Sequence, residues 1–394
     1  MGSIRARYAA LAAHAGALGF LALSLPMRMP LGTVGLGTLL HVRELTGSIA
    51  FAGSVVGAQF VAMAATSPVL GRIVDRRGPR GVLIATGIVC PLALAVLLAA
   101  GPLGLPRAAI LAVALVVGAS TPPLTVLIRT LWRMRLSDPA LRQTAFALDG
   151  VVIELAYTIG PALIALAVAV GPAGAPLALA LAFTAAAVPL MLASGALAWW
   201  TRADPGERHP FGPLRDGRLL VLFAATFTLT LSFGAIEVGY PDFGRAVGED
   251  AWGPGLIALC SAGSAAGGIV YGGLHVRTPL VRQLPVAMAV MAVPLAAHLP
   301  IASPWLLAPI AFLAGAMIAP AMTIVSLLVT EFAPARYATE AFTWSATAIV
   351  TGLGAGMSIA GALVERHGPN GAFALAAASA FAAACLALAL RVRR

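Results

Sequence analysis

The chain has 394 residues, of which 60% are hydrophobic and only 10% charged. Water-soluble domains carry about 25% charged residues, so an aqueous coat is excluded and a lipid bilayer is the solvent that suits this composition. The basic residues behind the formal charge of +10 are all arginine, and they stand in short clusters between apolar runs. Such clusters mark membrane surfaces and lipid headgroups. They do not line one face, as a nucleic-acid groove requires.

A spanning helix takes about 20 apolar residues. By that measure the sequence predicts twelve spans, over 10–34, 48–70, 81–100, 108–127, 144–168, 176–199, 219–243, 255–271, 284–299, 305–329, 340–364 and 372–390. The basic stretch 1–7 runs into the first of these without a small-residue cleavage site, so it reads as the lead-in to a helix rather than a removed signal. Arg7 to Arg43 is too short for two crossings, which predicts one long helix broken by Pro26 and Pro30. Cys90, Cys260 and Cys385 sit in apolar runs with no disulfide or metal spacing, so neither a metal nor a cofactor is expected.

The arginines also orient the chain. With both termini in the cytoplasm, the inner segments hold Arg5, Arg7, Arg72, Arg76, Arg77, Arg80, Arg129, Arg133, Arg135, Arg142, Arg202, Arg208, Arg215, Arg218, Arg277, Arg282, Arg336, Arg391, Arg393 and Arg394. The outer segments hold only Arg43, Arg107, Arg245 and Arg366, with Arg28 inside the first span. Such a bias sets topology and predicts a multi-pass protein of the cell membrane with an even number of spans.

The chain also repeats itself. Gly118-Ala119-x-x-x-Pro123 returns as Gly315-Ala316-x-x-x-Pro320, and Ala145-Phe146 with Gly160 returns as Ala341-Phe342 with Gly356. The expected fold is therefore an all-α membrane protein of two pseudo-symmetric six-helix bundles, 1–200 and 219–394, joined by a proline-rich cytoplasmic linker at 201–218. Parallel halves of this kind place a solute site near the midplane between them.

One loop carries a sharper pattern, Gly71-x-x-x-Asp75-Arg76-x-Gly78-x-Arg80. Gly71 permits a close helix approach, Asp75 is suited to accept from the start of the next helix, and Gly78 allows a tight reversal. The segment resembles the signature loop between helices two and three of the major facilitator superfamily, with Pro79 where a basic residue is usual. Together with the twelve spans, two halves and central linker, the resemblance covers the whole chain. It implies the major facilitator fold, alternating access, a small-molecule substrate and a single working chain. It also implies that Asp75, Arg76 and Arg80 latch the halves in the outward-facing state. The matching loop of the second half, 272–277, keeps glycine and arginine but lacks the acid.

Within the family, Gly160-Pro161-Ala162 partly matches a signature of proton-driven exporters, while the exporters' mid-span arginine in the fourth helix is absent, Arg129 lying at the cytoplasmic end. The segments Arg28-Met29-Pro30, Leu148-Asp149-x-x-x-x-Glu154 and Thr339–Trp344 resemble a group of actinobacterial facilitator proteins. The resemblance favours proton-coupled efflux of a drug or metabolite, with uptake by symport as the alternative. It also makes the glycines at 53, 57, 263, 267, 352, 354 and 356 the moving contact between halves.

Ionisable residues inside spans mark ion or solute paths. At about 1.5 Å per residue, Glu154 lies roughly 18 Å beyond Arg142, near the midplane, with Tyr157 and Thr158 on its face. Asp149 lies roughly 10 Å in, within reach of cytoplasmic water. Both are proton-coupling candidates, and Glu154 has the rival reading of a fixed partner for an arginine or hydroxyl. Arg28 and Glu237 each fall roughly 30 Å from the cytoplasmic start of their helices, so an Arg28–Glu237 outer gate is expected, with Tyr240 and Asp242 beside it. Snorkelling of Arg28 to outer headgroups, or capture of a substrate carboxylate by Arg28, are the other readings. Glu340 reads as a cavity candidate or as an acid complementing a helix N-terminus, and Trp344 as a further cavity candidate.

Other classes fit poorly. A P-loop needs a lysine, and the chain has none. The six histidines are scattered over different helices and loops, which argues against an embedded enzyme.

Overall fold

The computed structural model describes residues 4–172, 174–202, 211–249, 251–299 and 301–390. Arg208, Arg391, Arg393 and Arg394, and residues 203–210 of the expected linker, lie outside them. Among the described residues fifteen α-helices form and there is no strand: α1 (Ile4–Ala12), α2 (Ala17–Thr46), α3 (Ile49–Arg77), α4 (Pro79–Leu98), α5 (Arg107–Ala119), α6 (Leu124–Arg135), α7 (Pro139–Val170), α8 (Ala175–Ala193), α9 (Gly217–Ala246), α10 (Trp252–Gly273), α11 (Leu280–Ala297), α12 (Pro304–Gly315), α13 (Ile318–Phe332), α14 (Ala338–His367) and α15 (Pro369–Ala387). Twelve helical stretches are long and apolar enough to cross a membrane, with α5–α6 and α12–α13 each making one span.

Helix limits follow local chemistry. Proline begins α4, α7, α12 and α15, where its missing N–H would have no intrahelical partner in any case. Ser48, Asp138 and Asp216 cap α3, α7 and α9 by accepting from backbone N–H groups of the first turn. Gly78, with φ of 86°, turns the chain directly from α3 into α4.

The first span departs from the sequence expectation. Residues 4–12 form a separate short helix, the chain bends at Gly16 (φ 80°), and the membrane helix begins at Ala17. The apolar run is continuous across this bend, so hydropathy alone does not reveal it. Pro26 and Pro30 are accommodated inside α2, which runs on to Thr46.

The sequence repeat has a structural counterpart. The fourth span breaks at 120–123, where Pro122 and Pro123 have no N–H to continue the helix. The tenth breaks at 316–317, with Pro320 in the first turn of the restarted helix. Cβ atoms added at Gly118 and Gly315 would collide with the backbone carbonyls of Gln59 and Cys260 respectively, so the same helix pair is in backbone contact in each bundle. The other repeated residues meet each other: Phe146 and Phe342 pack edge to face at 6.2 Å across the bundle interface.

Not every small residue lies at a moving contact. Gly263 and Gly267 pack on Phe312 and Ala316, and Gly352 and Gly356 on α9, all inside the second bundle, while Gly53, Gly57 and Gly354 have no neighbour within 4 Å of an added Cβ. Small spacing in the sequence gives close approach without naming the partner.

These contacts set an expectation. Gly118→Val should cost at least about 1–3 kcal/mol through overpacking, read as a lower melting temperature in a size-exclusion thermal series. Gly53→Ala should leave melting unchanged or slightly raised, since alanine is worth roughly 0.5–1 kcal/mol over glycine in a helix. Equal losses in both variants would contradict the packing described.

Candidate functional site: a cavity between the two bundles

The arginine-rich ends of the two bundles are joined by a seam of polar contacts. Asp75, at the end of α3, accepts from the backbone N–H groups of Thr339 (3.0 Å) and Glu340 (2.8 Å), the first residues of α14. The carboxylate therefore caps a helix of the opposite bundle, not the next helix in sequence as expected; α4 already has Pro79 at its start. A helix N-terminus presents unpaired N–H groups and partial positive charge, which a carboxylate satisfies. Gly71 makes the approach possible, because a Cβ there would press against Thr343 and the Glu340 backbone.

Arg72 reinforces the seam with a 2.6 Å ion pair to Glu340, which is buried. Arg133 donates to the Ala333 carbonyl. Thr144 donates to the Gly272 carbonyl, and Gln143 to that of Tyr271. Arg76 and Arg80 are exposed, and among the described residues the arginines whose side chains bond across are Arg72, Arg133 and Arg7. Helix α1 adds a strap, with Arg7 donating to the Leu274 carbonyl and Tyr8 to that of Ile269.

Among the described residues, every hydrogen bond and ion pair between the bundles lies in the arginine-rich half of the spans, the deepest being Ser264 to Glu154 (2.8 Å) and Thr347 to the Ala64 carbonyl. Beyond them the bundles part around a cavity of about 590 Å³. Its wall includes Glu154, Tyr157 and Thr158 from α7, Glu237 and Tyr240 from α9, and Arg129 from α6. The rest is largely apolar, with Leu31, Met63, Phe233, Ile257, Met322 and Phe342.

The remaining candidates fall outside the wall. Trp344 is half-buried beside it, Glu340 belongs to the seam, and Asp242 lies 3.7 Å from Arg245. Tyr240 is buried and its hydroxyl lies 3.0 Å from His298 Nε2; because His298 Nδ1 lies 2.7 Å from the Pro294 carbonyl, Nδ1 carries the ring proton and the tyrosine donates to Nε2.

Arg28 is not paired with Glu237 in this structure. It is buried and donates to Asp149 Oδ1 at 2.5 Å, while Arg129 donates through Nε to Asp149 Oδ2 at 3.1 Å. The expected depth of Arg28 was too great because the membrane helix begins at Ala17 and not near Arg7; from Ala17 Arg28 lies roughly 16 Å in, level with Asp149. Asp149 is correspondingly dry, not hydrated from the arginine-rich end. Arg129, expected at the cytoplasmic end of the fourth span, stands within the helix instead, because α6 continues past the apolar run to Arg135.

A general model of the major facilitator superfamily matches residues 9–350. The chain belongs to that superfamily. The family's solved structures share its fold at low identity. The human organic anion transporter MFSD10 (TETRAN) superposes with a TM-score of 0.72 at 17% identity, covering 93% of this chain and 97% of that one. A bacterial homologue of the iron transporter ferroportin in an outward-facing state gives 0.77 at 11% identity, over 94% and 97%. The transporter FucP of the same superfamily, in an outward conformation, gives 0.66 at 12%, over 95% and 99%. Comparison with curated proteins finds no match. The chain is thus a multi-pass solute transporter of this family and not an enzyme, and the interbundle cavity is its candidate substrate site.

The seam predicts a measurable equilibrium. Spin labels at exposed positions 76 and 282, one on each bundle, should report a short distance in the parent protein. Asp75→Asn weakens charge-assisted hydrogen bonds worth about 1.5–3 kcal/mol, so a longer-distance population should grow roughly 10- to 100-fold. An unchanged distance distribution would show that Asp75 does not hold the seam.

Proposed function

We propose that the chain is a secondary active transporter of the cell membrane that exports a small, modestly amphipathic organic solute by alternating access, coupled to protons. Both termini and the arginine-rich end face the cytoplasm in this reading, so the described state is outward-facing and the segment 201–218 is the cytoplasmic link between halves 1–200 and 219–394. The arginine bias supports the orientation. The seam supports the state, since it closes the end that the bias assigns to the cytoplasm.

The observation that carries the coupling proposal is Glu154. It lines the cavity from the first bundle and accepts a hydrogen bond from Ser264 of the second, so its proton occupancy acts directly on a contact that must break when the cavity changes sides. Glu237, on the facing wall, is a second proton-binding candidate, and Tyr240, which also lines that wall, is backed by His298. The partial exporter signature Gly160-Pro161-Ala162 supports efflux. Cargo is sought by comparing metabolites of cells with and without the protein.

With that cargo in hand, Glu154→Gln should abolish proton-driven accumulation in inverted vesicles while leaving exchange at equilibrium at about the parent rate. Accumulation with normal pH dependence in the variant would make Glu154 a structural residue. Orientation is checked separately. In a background without native cysteines, an impermeant thiol reagent on intact cells should label a cysteine at Gly248 and spare one at Asp216. The reverse pattern would invert the proposed topology.

A further inference from the structure

The group of charges behind the cavity wall is unbalanced. Arg28 and Arg129 share one carboxylate, Asp149, and both Arg28 and Asp149 are fully buried, while the Arg129 side chain is 12% exposed and lines the cavity. Two guanidinium groups and one carboxylate leave one uncompensated positive charge in a region of low dielectric, a costly arrangement unless a further anion meets it.

The wall's own carboxylates, Glu154 and Glu237, make no bond to either arginine in this state. Glu154 is held by Ser264, and Asp149 is the one carboxylate that bonds to Arg129 among the described residues. Arg129 commits only Nε to Asp149, so its two terminal nitrogens, the fork that binds a carboxylate or phosphate in two-pronged fashion, are available on the cavity side. Behind it, Nε and Nη1 of Arg28 are buried without hydrogen-bond partners, so this group of three charges has more donors than acceptors.

Asp149 has a definite part in this arrangement. By accepting from both arginines it fixes the plane of each guanidinium, and it offsets one of their two charges. Apart from Glu154, Glu237 and a few hydroxyls, the remainder of the wall is largely apolar and aromatic, with Leu31, Met63, Phe233 and Phe342 among its residues, which suits a hydrocarbon or ring body rather than a sugar-like one.

We infer that the cavity takes an amphipathic organic anion, whose carboxylate or similar oxyanion is received by Arg129, oriented by Asp149 and Arg28. The inference rests on the cavity being the substrate site, as proposed above. Arg129 is then the residue that sets charge specificity. The inside-negative membrane potential also drives an anion outward, the direction proposed for transport.

The test uses the full chain in lipid nanodiscs and three probes sharing one ring system: naphthoate, naphthylmethanol and naphthylmethylammonium. Isothermal titration should show naphthoate binding about tenfold or more tightly than either other probe. Arg129→Gln should abolish that preference, and Arg129→Lys, which keeps the charge, should retain it. If Arg129→Gln does not fold, the parent ranking and the lysine variant still decide. Equal binding of the three probes, a preference for the ammonium, or no binding of naphthoate by folded protein would overturn the inference. So would a preference that survives in Arg129→Gln. Counterflow of the alcohol or ammonium probe in vesicles would show that the transport reading stands while the anion inference falls.

Discussion

The arrangement depends on a carboxylate of one bundle satisfying the open N-terminus of a helix in the other. The first N–H groups of α14 have no partner within their own helix, and Asp75 supplies acceptors to two of them across the interface. This contact closes the arginine-rich end, and the cavity exists because the bundles meet there and diverge beyond it. A helix terminus suits such a joint. The bonds are strong when made, yet each partner can be taken up by water when the bundles separate, so the seam can open without leaving buried charge.

A second set of charges works differently. Arg28, Asp149 and Arg129 all belong to the first bundle, so they need not separate when the bundles move. Breaking a buried ion pair by removing one partner costs about 3–5 kcal/mol, which makes this group a rigid part of the wall rather than a hinge. Glu154 stands between the two regimes. It belongs to the wall of one bundle but is hydrogen-bonded to Ser264 of the other, which is the contact on which the proposed coupling rests.

The number and approximate place of the spans could be read from the sequence because lipid imposes a length of apolar chain that few other constraints mimic. The repeat was legible too, since the Gly118 and Gly315 contacts demand the same small residue at corresponding places, and Phe146 and Phe342 pack on each other. What escaped is what hydropathy does not encode. The bend at Gly16 leaves the apolar run intact, and so shifts the apparent depth of Arg28 by about half of a bilayer core. Arg129 looked like a topology determinant because a buried arginine and a headgroup arginine read alike until a partner is known. Asp75 reads as a helix cap from its own segment, but the helix it caps is not legible there, because that partner lies some 265 positions away in the chain.

The central claim is that the arginine-rich seam must open for transport to occur. Cysteines at Gln143 and Leu274, in a background without Cys90, Cys260 and Cys385, stand on opposite sides of that seam, where the Gln143 side chain reaches the Leu274 carbonyl at 3.2 Å. A short reducible linker between them should hold the protein in the described state. The account predicts that the linked protein stops transporting and recovers when the linker is reduced. Transport at the unlinked rate with the linker fully in place would contradict it.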